Sequence, residues 1–260
     1  MSDFDSKTLW AVSMDAAGEA LLMRHAIAAK ATIVCVRSNN ARLLGAIDRF
    51  HAAGIKVYAW RWPAAVRVAS STHYFATDEA AFVVDHLIPN GLDGYVADPE
   101  SDHAGDIIDW NHLALAPLAR SFCRSILAGA AAAGRADFVF GVTSGCGYPL
   151  TKPNIPWSEF VKVSGLLLPQ TYWRWTNNDG HVQGINGGTP DAAIDKGASA
   201  WSGISGDKLV IPMAGEIDVA TAPEIAAYGA RLRALGLRQA HFYADGDGVP
   251  ESVLSAIADL

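Results

Sequence analysis

The segment Leu92-Asp93-Gly94-Tyr95-Val96-Ala97-Asp98-Pro99-Glu100-Ser101 is a short hydrophobic run that ends in two carboxylates. Its length and composition predict a buried strand with the carboxylates at its carboxyl end. Because side chains alternate along a strand, Asp98 and Glu100 point the same way. A parallel strand of an α/β protein presents such groups to the ligand face of its sheet. Two adjacent carboxylates in that place indicate acid–base chemistry or a metal site.

Strand and helix patterns alternate on both sides of this segment. Eight strands are predicted, at 8–14, 31–37, 55–62, 92–98, 136–142, 164–172, 208–214 and 238–244. Helices are predicted at 16–29, 40–53, 77–88, 112–133, 189–202, 221–235 and 250–259, with a short one near 157–162. Eight such units in about 250 residues are typical of the (β/α)8 barrel, whereas a doubly wound sheet has fewer strands. We therefore predict an α/β fold, a single TIM barrel that spans residues 1–260.

Composition limits the partners. A net charge of −7 without a basic stretch disfavours nonspecific binding to nucleic acid and to anionic membranes. No apolar run approaches the roughly 20 residues of a membrane span. Three cysteines, Cys35, Cys123 and Cys146, lack metal-ligand spacing and are too few for a disulfide framework, so reduced thiols are expected. The N-terminus has no signal-peptide pattern, which predicts a cytoplasmic protein or a phage-type lysin released by other means.

A barrel places its active site at the carboxyl ends of its strands. The residues predicted there are Asp15, Arg37, Trp60, Arg61, Trp62, Asp98, Glu100, Gln170, Tyr172, Trp173, Glu216, Asp218, Tyr243, Asp245 and Asp247. Carboxylates and aromatic rings dominate this set. That mixture suits carbohydrate chemistry, because sugar rings stack on aromatic faces while carboxyl groups protonate the glycosidic oxygen. The loop that carries Trp173 and Trp175 is expected to form a wall of the cleft.

Two segments resemble the family 18 chitinase-like glycoside hydrolases. The run from Asp93 to Glu100 is similar to that family's strand-4 signature, Asp-Gly-x-Asp-x-Asp-x-Glu, which ends in the catalytic acid. Val96 replaces the first inner aspartate of the signature. The stretch 168–173, Leu-Pro-Gln-Thr-Tyr-Trp, is similar to the family's strand-6 Gln/Met-x-Tyr element.

This resemblance implies a substrate-assisted mechanism. Glu100 is then the general acid, and Asp98 orients the substrate 2-acetamido group, whose carbonyl oxygen attacks the anomeric carbon. Tyr172 helps to hold that group. No cofactor is implied, and the substrate is expected to be a β-linked N-acetylated glycan, either peptidoglycan or a chitin-like polymer.

Two other resemblances nominate different partners for Glu100. Family 25 muramidases place acidic residues where Asp15, Asp98, Glu100 and Asp245 fall. The large retaining-glycosidase clan uses a strand-7 nucleophile, here Glu216, although the usual asparagine before the strand-4 glutamate is missing. Direct retention requires a carboxyl separation of roughly 5–5.5 Å, and inversion requires roughly 6.5–9.5 Å.

Other functional classes remain open. Because Val96 replaces an aspartate, the chain could be a non-catalytic glycan-binding barrel. A metal-dependent hydrolase built on His73, His103 and His112 is less favoured, because no ligand spacing supports it. The residues predicted to bind the glycan are Trp60, Arg61, Trp62, Gln170, Trp173, Trp175 and Tyr243. Linkage, mechanism and oligomeric state are left open.

Overall fold

The computed structural model describes residues 4–69 and 72–260. Within these residues seven parallel strands form one sheet, with β7 (Arg174–Thr176) and β8 (Val182–Gly184) pairing as a separate antiparallel hairpin. The strands of the sheet are β1 (Ser6–Ala11), β2 (Ile33–Arg37), β3 (Lys56–Arg61), β4 (Gly94–Ala97), β5 (Val139–Gly145), β6 (Leu166–Gln170) and β9 (Gln239–Asp245). Their order is β6-β5-β4-β3-β2-β1-β9, so the last strand pairs with the first. The predicted α/β barrel class is confirmed.

Helices connect successive strands. They are α1 (Ala16–Ala28), α2 (Leu43–Ala52), α3 (Ala76–Phe82), α4 (Ala116–Ala132), α5 (Tyr148–Thr151), α6 (Trp157–Val161), α7 (Pro190–Ser205), α8 (Ala222–Ala234) and α9 (Glu251–Asp259). A π-helical turn, Val83–Leu87, continues α3. The helices predicted from hydrophobic spacing are all present, and only α5, a single turn after β5, was not predicted. Polar caps define several starts, such as the Asp15 side chain that accepts from Gly18 N at 2.8 Å.

Alternation along the strands divides the apolar residues into two layers. The larger layer lies between the sheet and the helices and includes Leu9, Phe50 and Trp201. The smaller layer fills the interior of the barrel, where Trp10, Trp60 and other side chains pack together. Trp201 therefore packs between the barrel and the helices, whereas Trp10 faces the interior.

The barrel is closed by an irregular segment where a seventh strand was predicted. Residues 208–214 form isolated parallel bridges, with Val210 beside Leu167 of β6 and Ala214 beside Phe242 of β9. The segment still bonds to both neighbours, because Met213 N donates to Pro169 O and Ala214 N donates to His241 O, each at 2.9 Å. Pro212 accounts for the irregularity, since proline has no N–H to give to a ladder.

The β7–β8 hairpin lies in a region that was predicted to be a loop. Arg174 in β7 donates to Glu224 Oε1 of α8 at 2.7 Å and 3.0 Å, which ties the hairpin to the barrel wall. Asn186, after the hairpin, donates to the carbonyl of Tyr172 at 2.9 Å. Across residues 4–69 and 72–260, no helix combines the length and the apolar character that a membrane crossing requires.

Candidate active site

A cavity opens at the carboxyl ends of the strands, directly above the barrel interior. Its empty volume is about 650 Å³. The residues that line it are Trp10, Trp60, Trp62, Asp98, Glu100, Thr143, Gln170, Tyr172, Trp175, Met213 and Tyr243. Seven of them come from the predicted set of site residues, which the structure thus brings together around two carboxyl groups: Trp60, Trp62, Asp98, Glu100, Gln170, Tyr172 and Tyr243. Trp175 was predicted as well, from the loop after β6.

Asp98 and Glu100 follow β4 and lie close enough for each to influence the ionisation of the other. Asp98 is only 3% exposed. Gln170 Nε2 lies 3.2 Å and 3.3 Å from the two oxygens of Asp98 and donates to them. Burial raises the pKa of Asp98 well above its usual range, and the charge of Glu100 adds to this. Asp98 is therefore part of a buried carboxyl pair and does not cap a following helix.

The pKa of Glu100 is raised to about 7, first by burial and then by the negative charge of Asp102. The hydrogen bonds from Gln170 and Asp98 oppose this rise. A carboxyl group with a pKa near neutrality can hold a proton and also release it at moderate pH. Glu100 thus has the acidity that a general acid needs.

The loop after Glu100 is held by Asp109, which is buried. Ser101 Oγ donates to one Asp109 oxygen, and Asn111 N donates to the same oxygen at 3.0 Å. Trp110 N donates to the carbonyl of Glu100 at 3.0 Å. These bonds fix the backbone on both sides of the Glu100 side chain, so its direction into the cavity is set by the loop as well as by β4.

Asp102 and Tyr148 form a polar pair beside the two carboxyl groups. Tyr148 Oη donates to Asp102 Oδ1 at 3.0 Å. The Tyr148 ring packs over Gly145, where a Cβ atom would come within 2.5 Å of it. Sequence reasoning missed both residues. Asp102 was detectable in principle, because it continues the alternation of Asp98 and Glu100 by two positions.

Aromatic rings form the walls of the cavity. Tyr172 and Tyr243 stack with ring centroids 5.1 Å apart and an interplanar angle of 8°. Trp60 lies between Trp10 and Trp62, at centroid distances of 5.8 Å and 5.0 Å. Trp175, on the hairpin, lines the opening and stays 40% exposed. Such flat apolar surfaces with polar groups below them suit the faces of sugar rings.

Two predicted binding residues point away from the cavity. Trp173 is fully buried in the layer between sheet and helices, with its ring 5.8 Å from that of Tyr228. Arg61 faces outward from β3, where it donates to Thr72 O at 2.8 Å. Alternation explains Arg61, because its neighbours Trp60 and Trp62 take the inner side of the strand. Trp173 and Arg61 are therefore not among the residues that line the cavity.

Asp15 and Asp245 lie in a neighbouring hollow between β1, α1 and the end of β9. Asp15 caps α1, as described above. Asp245 Oδ1 is 2.6 Å from His25 Nδ1, and burial raises its pKa. Neither residue lines the cavity with Asp98 and Glu100. The four carboxylates of the family 25 pattern are therefore divided between two hollows.

Glu216 follows the irregular segment and is half-buried. Its Oε2 accepts from Thr176 N of the hairpin at 3.4 Å. Burial raises its pKa, and the charge of Asp218 adds to this. Glu216 lies close enough to Tyr172 and Tyr243 to act on them electrostatically, but it is not among the lining residues.

The lining also contains residues that sequence reasoning did not assign to a site. Trp10 contacts the cavity from below, and its Nε1 donates to His241 Nδ1 at 3.2 Å. Thr143 Oγ1 donates to Leu168 O at 2.6 Å. Met213 comes from the irregular segment. Only the register of a closed barrel could have placed these side chains at the same level.

Two of the histidines considered as metal ligands, His73 and His112, have other partners. Trp62 Nε1 donates to His73 Nε2, and His112 Nε2 is 3.0 Å from Asp109 Oδ2. Among the residues that the structure describes, no group of three or more His, Cys, Asp or Glu side chains is arranged to hold a metal ion.

Comparison with solved structures shows that the fold of the chain is similar to that of chitinase-like TIM barrels. It resembles a chitinase from Chromobacterium violaceum (TM-score 0.62, 13% identity, 98% of each chain covered). It also resembles a family 18 N-acetylglucosaminidase from Paenibacillus barengoltzii (TM-score 0.61, 12% identity, 97% of this chain and 98% of that one). A third similar structure is the spore cortex-lytic enzyme SleL of Bacillus megaterium (TM-score 0.58, 9% identity, 98% of this chain and 73% of that one).

These likenesses concern the fold, since sequence identity is low. No protein-family model and no curated protein matches the chain. The predicted resemblance to family 18 is confirmed at the level of the fold. The resemblance to family 25 stays a prediction.

Proposed function

We propose that this protein is a glycoside hydrolase that cleaves β-linked N-acetylated glycans with Glu100 as general acid. The observation that carries the proposal is the buried pair of Asp98 and Glu100 in this cavity, whose raised pKa values suit acid catalysis. The pair lies in a cavity walled by aromatic rings. The fold supports the same class, because the chitinase and the N-acetylglucosaminidase named above have similar barrels.

The proposed reaction uses the substrate's own acetamido group as nucleophile. Its carbonyl oxygen attacks the anomeric carbon, and the bond to the departing oxygen breaks as Glu100 gives that oxygen a proton. Asp98 accepts from the acetamido N–H and stabilises the positive charge that develops, while Gln170 holds Asp98 in place. Tyr172 lies in the cavity close to both carboxyl groups and is assigned to hold the acetamido group. Water then opens the cyclic intermediate, with Glu100 as base.

Val96 supports a second candidate function. It fills a position inside the barrel where the family 18 signature has an aspartate, and it packs there as an apolar side chain. Without that third carboxylate the chain could bind glycan and not cleave it. The raised pKa of Glu100 favours the enzyme, because a binding module gains nothing from burying a carboxyl pair.

The test is release of reducing ends by the purified protein from chitin oligosaccharides and from peptidoglycan. We expect release from at least one of these substrates, with retention of anomeric configuration and no loss of activity on chelation. A folded protein that binds the oligosaccharides in calorimetry, yet releases nothing from either substrate, would establish the binding module. Inversion of configuration would instead contradict the acetamido mechanism.

The pH dependence of kcat/KM is expected to follow the ionisation of Glu100. Activity should fall as pH rises through about 7, because the general acid then loses its proton. Since the charge of Asp102 helps to raise that pKa, Asp102→Asn should move the fall in activity to lower pH. Asp207→Asn removes a charge in the exposed turn after α7 and is the matched control. An unchanged pH profile in Asp102→Asn would contradict the assignment of Glu100.

Trp175 is expected to contribute to binding and not to folding. It lines the cavity but is 40% exposed, so Trp175→Ala removes a stacking surface without opening the core. We expect KM for chitin oligosaccharides to rise about tenfold, which corresponds to about 1.4 kcal/mol, while thermal stability stays the same. Val182→Ala, an exposed substitution on the same hairpin, is the control. A large loss of stability in Trp175→Ala would show that the hairpin depends on this ring.

A further inference from the structure

We propose that Arg37 forms a binding site for the carboxylate of an anionic sugar at the mouth of the cavity. The inference rests on the proposed function and narrows it: the preferred glycan carries a carboxylate on a sugar next to the cleaved bond. Peptidoglycan strands freed of their peptides have this chemistry, because every second sugar then bears a lactyl ether with a free carboxylate, and chitin does not.

Arg37 is the last residue of β2, and its side chain points into the barrel mouth. In the parallel ladder it is the partner of Trp60, which lines the cavity. Cys35, two residues earlier on the same side of the strand, lies in the barrel interior. The guanidinium carbon of Arg37 is 5.4 Å from the centroid of the Trp62 ring, another lining residue. The guanidinium group also acts electrostatically on the hydroxyl of Tyr243.

Arg37 has no anionic partner among residues 4–69 and 72–260. Its guanidinium group lies over the Trp62 ring, and its buried Nε atom has no hydrogen-bond acceptor among these residues. Most of the other arginines form ion pairs with Asp or Glu, as do Arg42, Arg49, Arg67, Arg120, Arg135, Arg174, Arg231 and Arg238. A partly buried guanidinium group without a counter-charge is costly unless a ligand supplies one.

A second cation near Trp62, Arg61, points away from the cavity and has a counter-charge of its own. Arg61 is the last residue of β3, and its guanidinium carbon is 5.6 Å from the centroid of the Trp62 ring. The buried carboxyl group of Glu79 offsets the charge of Arg61. Burial lowers the pKa of Arg37, and the charge of Arg61 lowers it further. Arg61 thus has the carboxyl group of Glu79 nearby, whereas the counter-charge of Arg37 has to come from a ligand.

The planar guanidinium group fits a carboxylate through two parallel hydrogen bonds. Trp62 beside it provides a face on which the ring of the same sugar can stack. The whole protein carries a net charge of −7, which opposes long-range attraction of an anionic polymer. Recognition of such a polymer then depends on a short-range contact between its carboxylate and Arg37 at the cavity.

The test compares an anionic with a neutral substrate in wild type and Arg37→Gln. We expect kcat/KM for peptidoglycan glycan strands, freed of their peptides, to fall about 10- to 100-fold, with a change of less than about threefold on chitin oligosaccharides. Arg37→Lys should lose part of the activity on the anionic strands, because lysine keeps the positive charge but cannot form two parallel hydrogen bonds with a carboxylate. Arg67→Gln, which removes a cation of the same rim paired with Asp78, is the control and should leave the ratio unchanged.

Equal losses on both substrates would mean that Arg37 only supports Trp62, and would overturn the proposal. Binding separates this outcome from failure of the proposed function. If neither substrate is cleaved, calorimetric titration with N-acetylmuramic acid and with N-acetylglucosamine still tests whether Arg37 binds a sugar carboxylate. Tighter binding of the acid that disappears in Arg37→Gln supports the site, and equal binding of the two sugars overturns it.

Discussion

Replacing Glu100 with glutamine is expected to lower kcat on the cleaved glycan on the order of a thousandfold, with little change in KM. The amide has nearly the same shape as the carboxylic acid but cannot give a proton to the departing oxygen. Gln170 and the loop held by Asp109 keep the side chain at position 100 in place, so the substrate still binds. Initial rates of reducing-end release measure the effect.

The same substitution is expected to stabilise the fold above neutral pH. In the folded protein the pKa of Glu100 is about 7, above its ordinary value of 4.5. Stability linked to this group is fully present below about pH 4.5 and is lost as pH rises through about 7, where a charge becomes buried. The difference corresponds to on the order of 3 kcal/mol. Denaturant unfolding of Glu100→Gln at pH 8 should therefore give a higher free energy than wild type, and the two should agree at pH 4.

A combination of lost turnover and gained stability identifies a residue kept for function. Glu251→Gln, the same chemical change at an exposed position in the first turn of α9, is the matched control and should alter neither quantity strongly. If Glu100→Gln retained wild-type turnover, the acid would have to be another group, and Glu216 would be the next candidate. If it lost both turnover and stability, Glu100 would be a structural residue.

The sequence predicts best which side chains share a face of a strand. The alternation of side chains was sufficient to place Asp98 and Glu100 together, and to put Trp60 and Trp62 on one face of β3, because period-two geometry is a property of every strand. The same rule applied to β1 and β3 together would have placed Trp10 inside the barrel. Arg61 was assigned to the cavity although its two neighbours already occupied the inner face.

The remaining misses arise where the backbone leaves regular structure. Pro212 interrupts the segment that closes the barrel, so periodicity could not show which of its side chains faces inward, and Met213 was missed. The α1 cap at Asp15 and the pair of Asp245 with His25 are set by the packing of loops against helices. Such contacts depend on long-range geometry that local sequence patterns do not contain.

Trp173 and Trp175 show how a turn decides between core and cavity. Both residues follow β6, two positions apart, and alternation in a continuous strand would place them on one face. The chain leaves β6 at Gln170 and begins the hairpin at Arg174, and Trp173 enters the layer against Tyr228 while Trp175 reaches the cavity opening. Removal of Trp173 should therefore lower the stability of the fold, whereas removal of Trp175 should weaken glycan binding.

Trp173→Ala is expected to lower the free energy of unfolding by about 3–5 kcal/mol, because it leaves a large void in a fully buried layer. Trp173→Phe is the matched control: it keeps a ring against Tyr228 and removes the buried Nε1, which has no acceptor among the described residues, so its loss should be much smaller. Urea unfolding of both variants, beside Trp175→Ala, measures the difference. A stable Trp173→Ala protein with weakened glycan binding would contradict the buried position and support the sequence-based prediction that the loop carrying Trp173 forms a wall of the cleft.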